Sequence, residues 1–277
     1  MTGTRISRAQ LESMKARLSA RDTAILESIA ANRLMTSRQI RRLHFWDHTS
    51  DVAAIRSANR TLARLADLKL ITHLDRRIGG VRAGSNANIW SLTEPGARLL
   101  RSIDETEMPL RFRPHEPTTS FLEHTLAVAE VAVRLSEAAR HGDFSLLALD
   151  REPECWRAHS GTHGGVARLK PDLYGITASG TYEDHWFFEV DRSTEPPSRV
   201  IRTCLKYETY RSTGMEQNAT GVFPAVVWIT PNEKRASTLR THLASAQGLT
   251  PGLYAVVVPD DLTSLIKAGI EASGAKL

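Results

Sequence analysis

The 277-residue chain predicts a mixed α/β (α+β) protein in two parts: a basic, mainly helical first part closed by a two-stranded hairpin, and a second part built on a mixed sheet. Three observations predict it. Helix-start signals and apolar residues spaced three and four apart dominate the first hundred positions. After Ser120, β-rich runs alternate with helical stretches. The charge is also divided unevenly. The formal net charge is +5, yet residues 1–116 hold 20 Lys and Arg against 12 Asp and Glu, which leaves the remainder at −3. A locally basic part suits a polyanion, whereas the mildly acidic remainder does not.

In chain order, Ser19-Ala-Arg-Asp22 reads as a capping box, followed by Ile25, Leu26 and Ile29 on one helical face. Thr36-Ser-Arg-Gln39 is a second box, opening a short helix with Ile40 and Leu43 as its buried side. A longer helix is expected from about Ser50 to Asp67, with Ile55, Ala58, Leu62 and Leu65 as its core stripe. Arg56, Arg60 and Arg64 recur every four residues on its other side, with Asn59 beside them. Guanidinium forks pair with phosphates or a guanine edge, and an amide pairs with adenine. Leu70–Asp75 and Ile89–Leu92 read as paired strands, joined by a loop that carries Gly79, Gly80 and Gly84 with Arg76, Arg77 and Arg82. Another helix starts near Gly96.

This order, together with Leu92-Thr-Glu-Pro-Gly96, resembles the winged helix-turn-helix regulators over roughly residues 19–102. The resemblance implies binding to double-stranded DNA, with Arg38, Arg56, Asn59, Arg60, Arg64, Arg76, Arg77 and Arg82 as the contacting residues. The expected division is a DNA-binding domain over 1–104, a linker over 105–119 carrying Pro109, Pro114 and Pro117, and an α/β domain over 120–277.

Ser120-Phe-Leu-Glu123 reads as the start of a helix that buries Leu122, Leu126, Ala129 and Val133 and stops before Gly142. Strands are expected at Phe144–Leu149, around Leu173–Ile176, and at Trp186–Val190, Ala225–Ile229 and Tyr254–Val258, with helices near 198–211 and 233–246. Pro171-Asp172 and Glu189-Val-Asp191 are the chemically loaded positions. Residues two apart on a strand share a face, so Glu189 and Asp191 point the same way, and with Asp172 from a neighbouring strand three carboxylates converge. Such a cluster repels itself unless a hard cation, Mg²⁺ or Mn²⁺, holds it together.

A leading helix with Glu123 or Glu130, Pro-Asp at a strand start and a glutamate on the next strand resemble the PD-(D/E)xK nuclease superfamily, with Asp191 standing where the lysine is usual. Lys206 is the substitute that the resemblance suggests, with Lys170 behind it. Lys-Pro-Asp172, Phe-Phe-Glu-Val-Asp-Arg-Ser-Thr-Glu195 and Lys206-Tyr207 after the first domain resemble the replication-relaxation family of plasmids and mobile elements. That resemblance implies catalytic residues Asp172, Glu189, Asp191 and Lys206, and a metal held by Asp172, Glu189 and Asp191. The alternative is a degenerate site, with Asp172 capping a turn and Glu189 and Asp191 paired to Arg192 or Arg202.

Cys155, His159 and His163 have metal-like spacing, but their Gly-rich surroundings suit a loop. Tyr207 and Tyr210 read as core rather than as nucleophiles of a strand-transferring relaxase. The two cysteines lie far apart and are expected to be reduced thiols. No run of eighteen apolar residues and no apolar leader is seen, so a cytoplasmic protein without membrane contact is expected.

Three functions compete: a DNA-binding regulator or replication accessory with a degenerate nuclease domain used for assembly, a metal-dependent endonuclease or nickase, and a protein-interaction module. Winged helices often act as homodimers on two half-sites, though no coiled-coil segment argues for one here. Replication or transfer proteins of the same element are further candidate partners.

Overall fold

The computed structural model describes residues 7–74, 88–103, 118–161 and 165–272. It is a mixed α/β structure, and the chain divides into two compact units between Val133 and Arg134.

The first unit opens with α1 (Arg8–Lys15) and α2 (Ala20–Asn32), each started by a capping box, Ser7 with Gln10 and Ser19 with Asp22. The strand β1 (Leu34–Thr36) leads into α3 (Ser37–His44), which Thr36 and Gln39 cap reciprocally, and α4 (Asp51–Asp67) follows, capped by Ser50. The hairpin strands β2 (Ile71–His73) and β3 (Ile89–Leu92) pair antiparallel, and β1 adds to the far side of β3, giving the order β1-β3-β2. Then come α5 (Glu94–Ile103) and α6 (Thr119–Arg140).

The expected α2, α3 and α4 are present, because each combines a side-chain cap with an apolar stripe. Two elements went unread: α1, although Ser7 and Gln10 form the same kind of box, and β1, which is too short to show a period. The stripe of α4 is corrected at one position. Ala54, Ala58, Leu62 and Leu65 are buried, whereas Ile55 is 44% exposed. Ala54 takes the inward position because it lies four residues before Ala58, and Ile55 is rotated out by one step.

Gly96 has a steric reason to be glycine. It sits in the first turn of α5, where an added Cβ would collide with the carbonyl oxygen of Leu70. Thr93 fastens the same junction, its amide donating to the Leu70 carbonyl at 3.0 Å and its hydroxyl accepting the Gly96 amide at 3.1 Å. Gly96→Ala is therefore expected to cost about 3 kcal/mol, as overpacking against backbone does, measured as a lowered midpoint in urea unfolding.

The cap of α6 is Thr118 rather than Ser120, since the Thr118 hydroxyl accepts the Phe121 amide at 3.3 Å and the helix runs from Thr119. Leu122 and Leu126 pack with Leu34 and Ile89, and Val133 joins the main core of the first unit. The unit boundary thus lies inside this helix, later than the start at 120 expected for the second domain.

The second unit continues with β4 (Ser145–Arg151), β5 (Arg157–Ser160), β6 (Val166–Leu169), β7 (Leu173–Ser179) and β8 (Tyr182–Val190). After these come α7 (Pro197–Arg211), α8 (Met215–Thr220), β9 (Ala225–Ile229), α9 (Glu233–Ala244), β10 (Tyr254–Val257) and α10 (Leu262–Ala272). Five strands form one mixed sheet in the order β10-β9-β8-β7-β4. The β10-β9 and β9-β8 pairs are parallel, and the β8-β7 and β7-β4 pairs are antiparallel. On one face Tyr174, Phe187, Val226 and Val256 pack with Cys204 and Tyr207 of α7 and Ala236 and Leu239 of α9. The unread β5 and β6 form a separate two-stranded ribbon. Among the described residues no helix is long and apolar enough to cross a membrane.

Candidate functional site

In the first unit the exposed side of α4 carries Arg56, Asn59 and Arg60, and Arg38 of α3 is exposed as well. Val52, in the first turn of α4, is exposed as well. Arg64 is placed differently from its neighbours. Its guanidinium meets the buried Asp22 carboxylate at 2.5 Å, and the other Asp22 oxygen accepts the Ser19 amide at 2.8 Å. It therefore holds α4 to the start of α2, which Asp22 caps, rather than standing with Arg56 and Arg60 as an unengaged cation. Arg76, Arg77 and Arg82 lie outside the described residues. Glu130, expected as an acidic residue of a leading helix, pairs with Arg42 at 2.6 Å and accepts from Gln39 at 3.3 Å, which assigns it to packing in the first unit.

In the second unit the register between β7 and β8 brings two of the expected acids together. Leu173 pairs with Phe188, so one residue further along Asp172 stands opposite Glu189. The Asp172 amide donates to the Phe188 carbonyl at 3.1 Å, and an Asp172 carboxylate oxygen accepts the Val190 amide at 2.7 Å. Glu189 shares its face with Phe187, beneath α7, where the Tyr207 hydroxyl donates to Glu189 Oε1 at 2.6 Å. Burial first, and then the Asp172 charge, hold the Glu189 carboxyl well above the ordinary carboxylate range. The Tyr207 hydrogen bond and the Lys206 ammonium pull the other way. Tyr207 is itself raised, by burial and by Glu189.

Glu152, immediately after the last residue of β4, adds a further negative charge that raises Glu189. Arg151 pairs with Leu173, so Glu152 follows on the opposite flank of Asp172 from Glu189. Sequence reading missed it because nothing in Arg151-Glu-Pro marks a strand end next to Asp172.

Asp191 goes elsewhere. It is bound at both oxygens by Arg235 of α9, at 2.7 and 2.9 Å, and accepts the Ser193 amide at 3.1 Å. Sharing a strand face with Glu189 does not keep it near Asp172, since the chain leaves the sheet after Val190. Of the acids, Glu189 accepts from Tyr207 and Asp191 pairs with Arg235. Among the described residues no group of three or more His, Cys, Asp or Glu is arranged to hold a metal ion. Asp172 and Glu189 remain as an oxygen-donor pair of the kind that Mg²⁺ takes alongside water and phosphate.

The Cys155 thiol is buried and donates to the Pro171 carbonyl at 3.0 Å, and burial pushes it upward, away from the thiolate that a zinc ligand needs. His159 lies against Tyr210 with the rings tilted and their centroids 5.3 Å apart, and His163 lies outside the described residues. Tyr210 is buried and donates to Glu216 at 2.5 Å.

The family model described as replication-relaxation matches residues 26–226, well over half of the chain. The chain belongs to the replication-relaxation family. In this replication-relaxation protein the matched stretch begins inside α2 and ends inside β9, so it includes Asp172, Glu189, Asp191 and Lys206 but stops before Arg235. Among solved structures, the restriction endonuclease FokI bound to DNA is similar at 12% identity and a TM-score of 0.26, covering 98% of this chain. The chain spans 47% of that protein's length. Among curated proteins none matches.

Proposed function

We propose that this replication-relaxation protein binds double-stranded DNA of a plasmid or mobile element through a winged helix in its first unit, and cuts or nicks it through a PD-(D/E)xK-like second unit. The observation that carries the reading is the buried Glu189 carboxylate held opposite Asp172 at the end of adjacent strands. A carboxyl raised by desolvation together with a specific charge partner, as Glu189 is beside Asp172, is the kind of group that clusters at functional sites. Asp172 and Glu189 would hold Mg²⁺ or Mn²⁺, which when bound activates a water and offsets charge on the scissile phosphate. Tyr207 fixes one Glu189 oxygen, leaving the carboxylate in one orientation. Lys206, exposed on α7 and felt electrostatically by Glu189, supplies the cation for the charge that builds on the phosphate. The three helices with the β1-β3-β2 sheet support the winged-helix reading, with α4 as the helix that enters the major groove.

Supercoiled plasmid incubated with the protein and Mg²⁺ or Mn²⁺ tests the cutting. Nicked or linear product is expected from the wild type and none from Asp172→Ala or Glu189→Ala. Product that persists in both variants refutes the site. For the DNA-binding half, Arg56→Ala with Arg60→Ala is expected to weaken duplex binding roughly 10-fold or more at low salt and to flatten its salt dependence. Fluorescence anisotropy at two salt concentrations measures both.

One observation favours a second reading, a regulator or replication accessory whose nuclease-like unit serves assembly. Arg235 occupies Asp191, which removes a carboxylate from the expected cluster. Salt-dependent duplex binding with no nicking in either metal would select it.

A further inference from the structure

The β5–β6 ribbon stands apart from the five-stranded sheet and runs straight into Pro171 and Asp172. Its two faces differ sharply. Register pairs Arg157 with Leu169, Ala158 with Arg168, His159 with Ala167 and Ser160 with Val166. Arg157, His159 and Leu169 therefore share the inner face. That face is fastened down: Arg157 Nε meets Glu216 at 3.0 Å, its guanidinium lies 4.5 Å over the Tyr174 ring, and Leu169 is in the core.

The outer face is left to solvent. Ala158, Ser160, Val166 and Arg168 are all exposed, with Val166 at 76%, and Lys170 follows on the same side. None of these carries a negative charge. The Lys170 ammonium is steadied 4.3 Å over the Trp156 ring, two residues before Asp172. A two-stranded antiparallel ribbon is one of the elements that the major groove admits, and small side chains with flanking cations are what close approach to a duplex requires.

We propose that the outer face of the β5–β6 ribbon is a second duplex-DNA contact, in which Arg168 and Lys170 neutralise backbone phosphates while Ala158, Ser160 and Val166 lie against the groove. It rests on the DNA-binding reading above and gives the second unit its own grip on the duplex, at the chain segment that delivers Asp172. Because the inner face is held by an ion pair, a cation–π contact and core burial, the ribbon meets DNA already in shape and spends little ordering entropy on binding.

The test uses the full chain and a labelled duplex, titrated by fluorescence anisotropy between about 50 and 200 mM salt. Arg168→Ala with Lys170→Ala is expected to weaken binding about 10-fold at the lower salt and to make the log–log salt slope shallower by about 2, one for each lost phosphate contact. Both side chains are exposed, so melting should be unchanged, and thermal unfolding checks this. Wild-type binding with salt dependence and no change in the double variant overturns the inference while leaving the DNA reading intact. Absence of salt-dependent binding in the wild type overturns both. A photo-crosslinking residue at Val166 supplies an independent readout: an adduct with the duplex supports the contact, and no duplex adduct under conditions where the wild type is bound overturns it.

Discussion

On the cutting activity proposed above, Glu189→Gln is expected to abolish nicking and, in the absence of metal, to make the protein more stable at neutral pH. Glutamine keeps the shape of the side chain and its oxygen still accepts the Tyr207 hydroxyl, but the buried charge is gone. The sign follows from the raised Glu189 carboxyl. The folded chain holds that proton more tightly than the unfolded chain does. Stability from this group is therefore fully present below the ordinary carboxylate pKa of about 4.3, and is lost as pH rises through the higher folded-state value. At pH 7 to 8 the wild type bears that loss and the variant does not. A gain on the order of 1–2 kcal/mol is typical when a strained functional group is relieved. Urea unfolding in EDTA at pH 5 and pH 8 measures it, and the gain should be larger at pH 8. A destabilised variant at pH 8 would mean that Glu189 is a structural ion-pair partner and not a carboxylate kept for chemistry.

Arg235→Ala should produce a large loss of stability in the second unit. Side-chain exposure is 3% for Asp191 and 11% for Arg235, so the substitution strands a buried carboxylate that still accepts the Ser193 amide. Breaking a buried pair from one side costs about 3–5 kcal/mol, and the retained amide bond places this case at the lower end. The Glu195 carbonyl also loses its donor, at 2.7 Å. Adding Asp191→Asn to Arg235→Ala should recover part of the loss, because the charge that was left unpaired is removed. On the same proposal, Asp191→Asn alone should keep nicking activity in proportion to folded protein, in contrast to Asp172→Ala. If it abolished nicking at full stability, Asp191 would belong to the chemistry after all.

The helices of the first unit were legible because each announces itself locally. A serine or threonine with a partner three residues on, followed by an apolar stripe, is a signal contained in about ten residues. The same holds for the strands β8, β9 and β10, whose apolar runs are buried on both faces. The ribbon β5–β6 was not legible, because Arg-Ala-His-Ser and Val-Ala-Arg-Leu alternate too weakly to separate them from a loop, and their inner face is completed by an arginine whose partner, Glu216, lies 59 residues away. Ile55 was misread for a related reason. A helical period permits Ala54 or Ile55 as the inward residue, and only contact with neighbouring elements selects between them.

At the candidate site the sequence by itself determined that acids stand at the start of one strand and the end of another, and that a basic helix precedes them, since strand and helix periods are local properties. Only the tertiary structure decided which acids meet. The antiparallel register sets Asp172 opposite Glu189, and Tyr207 reaches down from α7 to hold it. Asp191 leaves the sheet and is captured by Arg235, while Arg64 is captured by Asp22. Each of those choices depends on a partner more than fifteen residues away in the chain. Electrostatic energy in a buried site is governed by distance in space, and the spacing of residues along a sequence does not contain it.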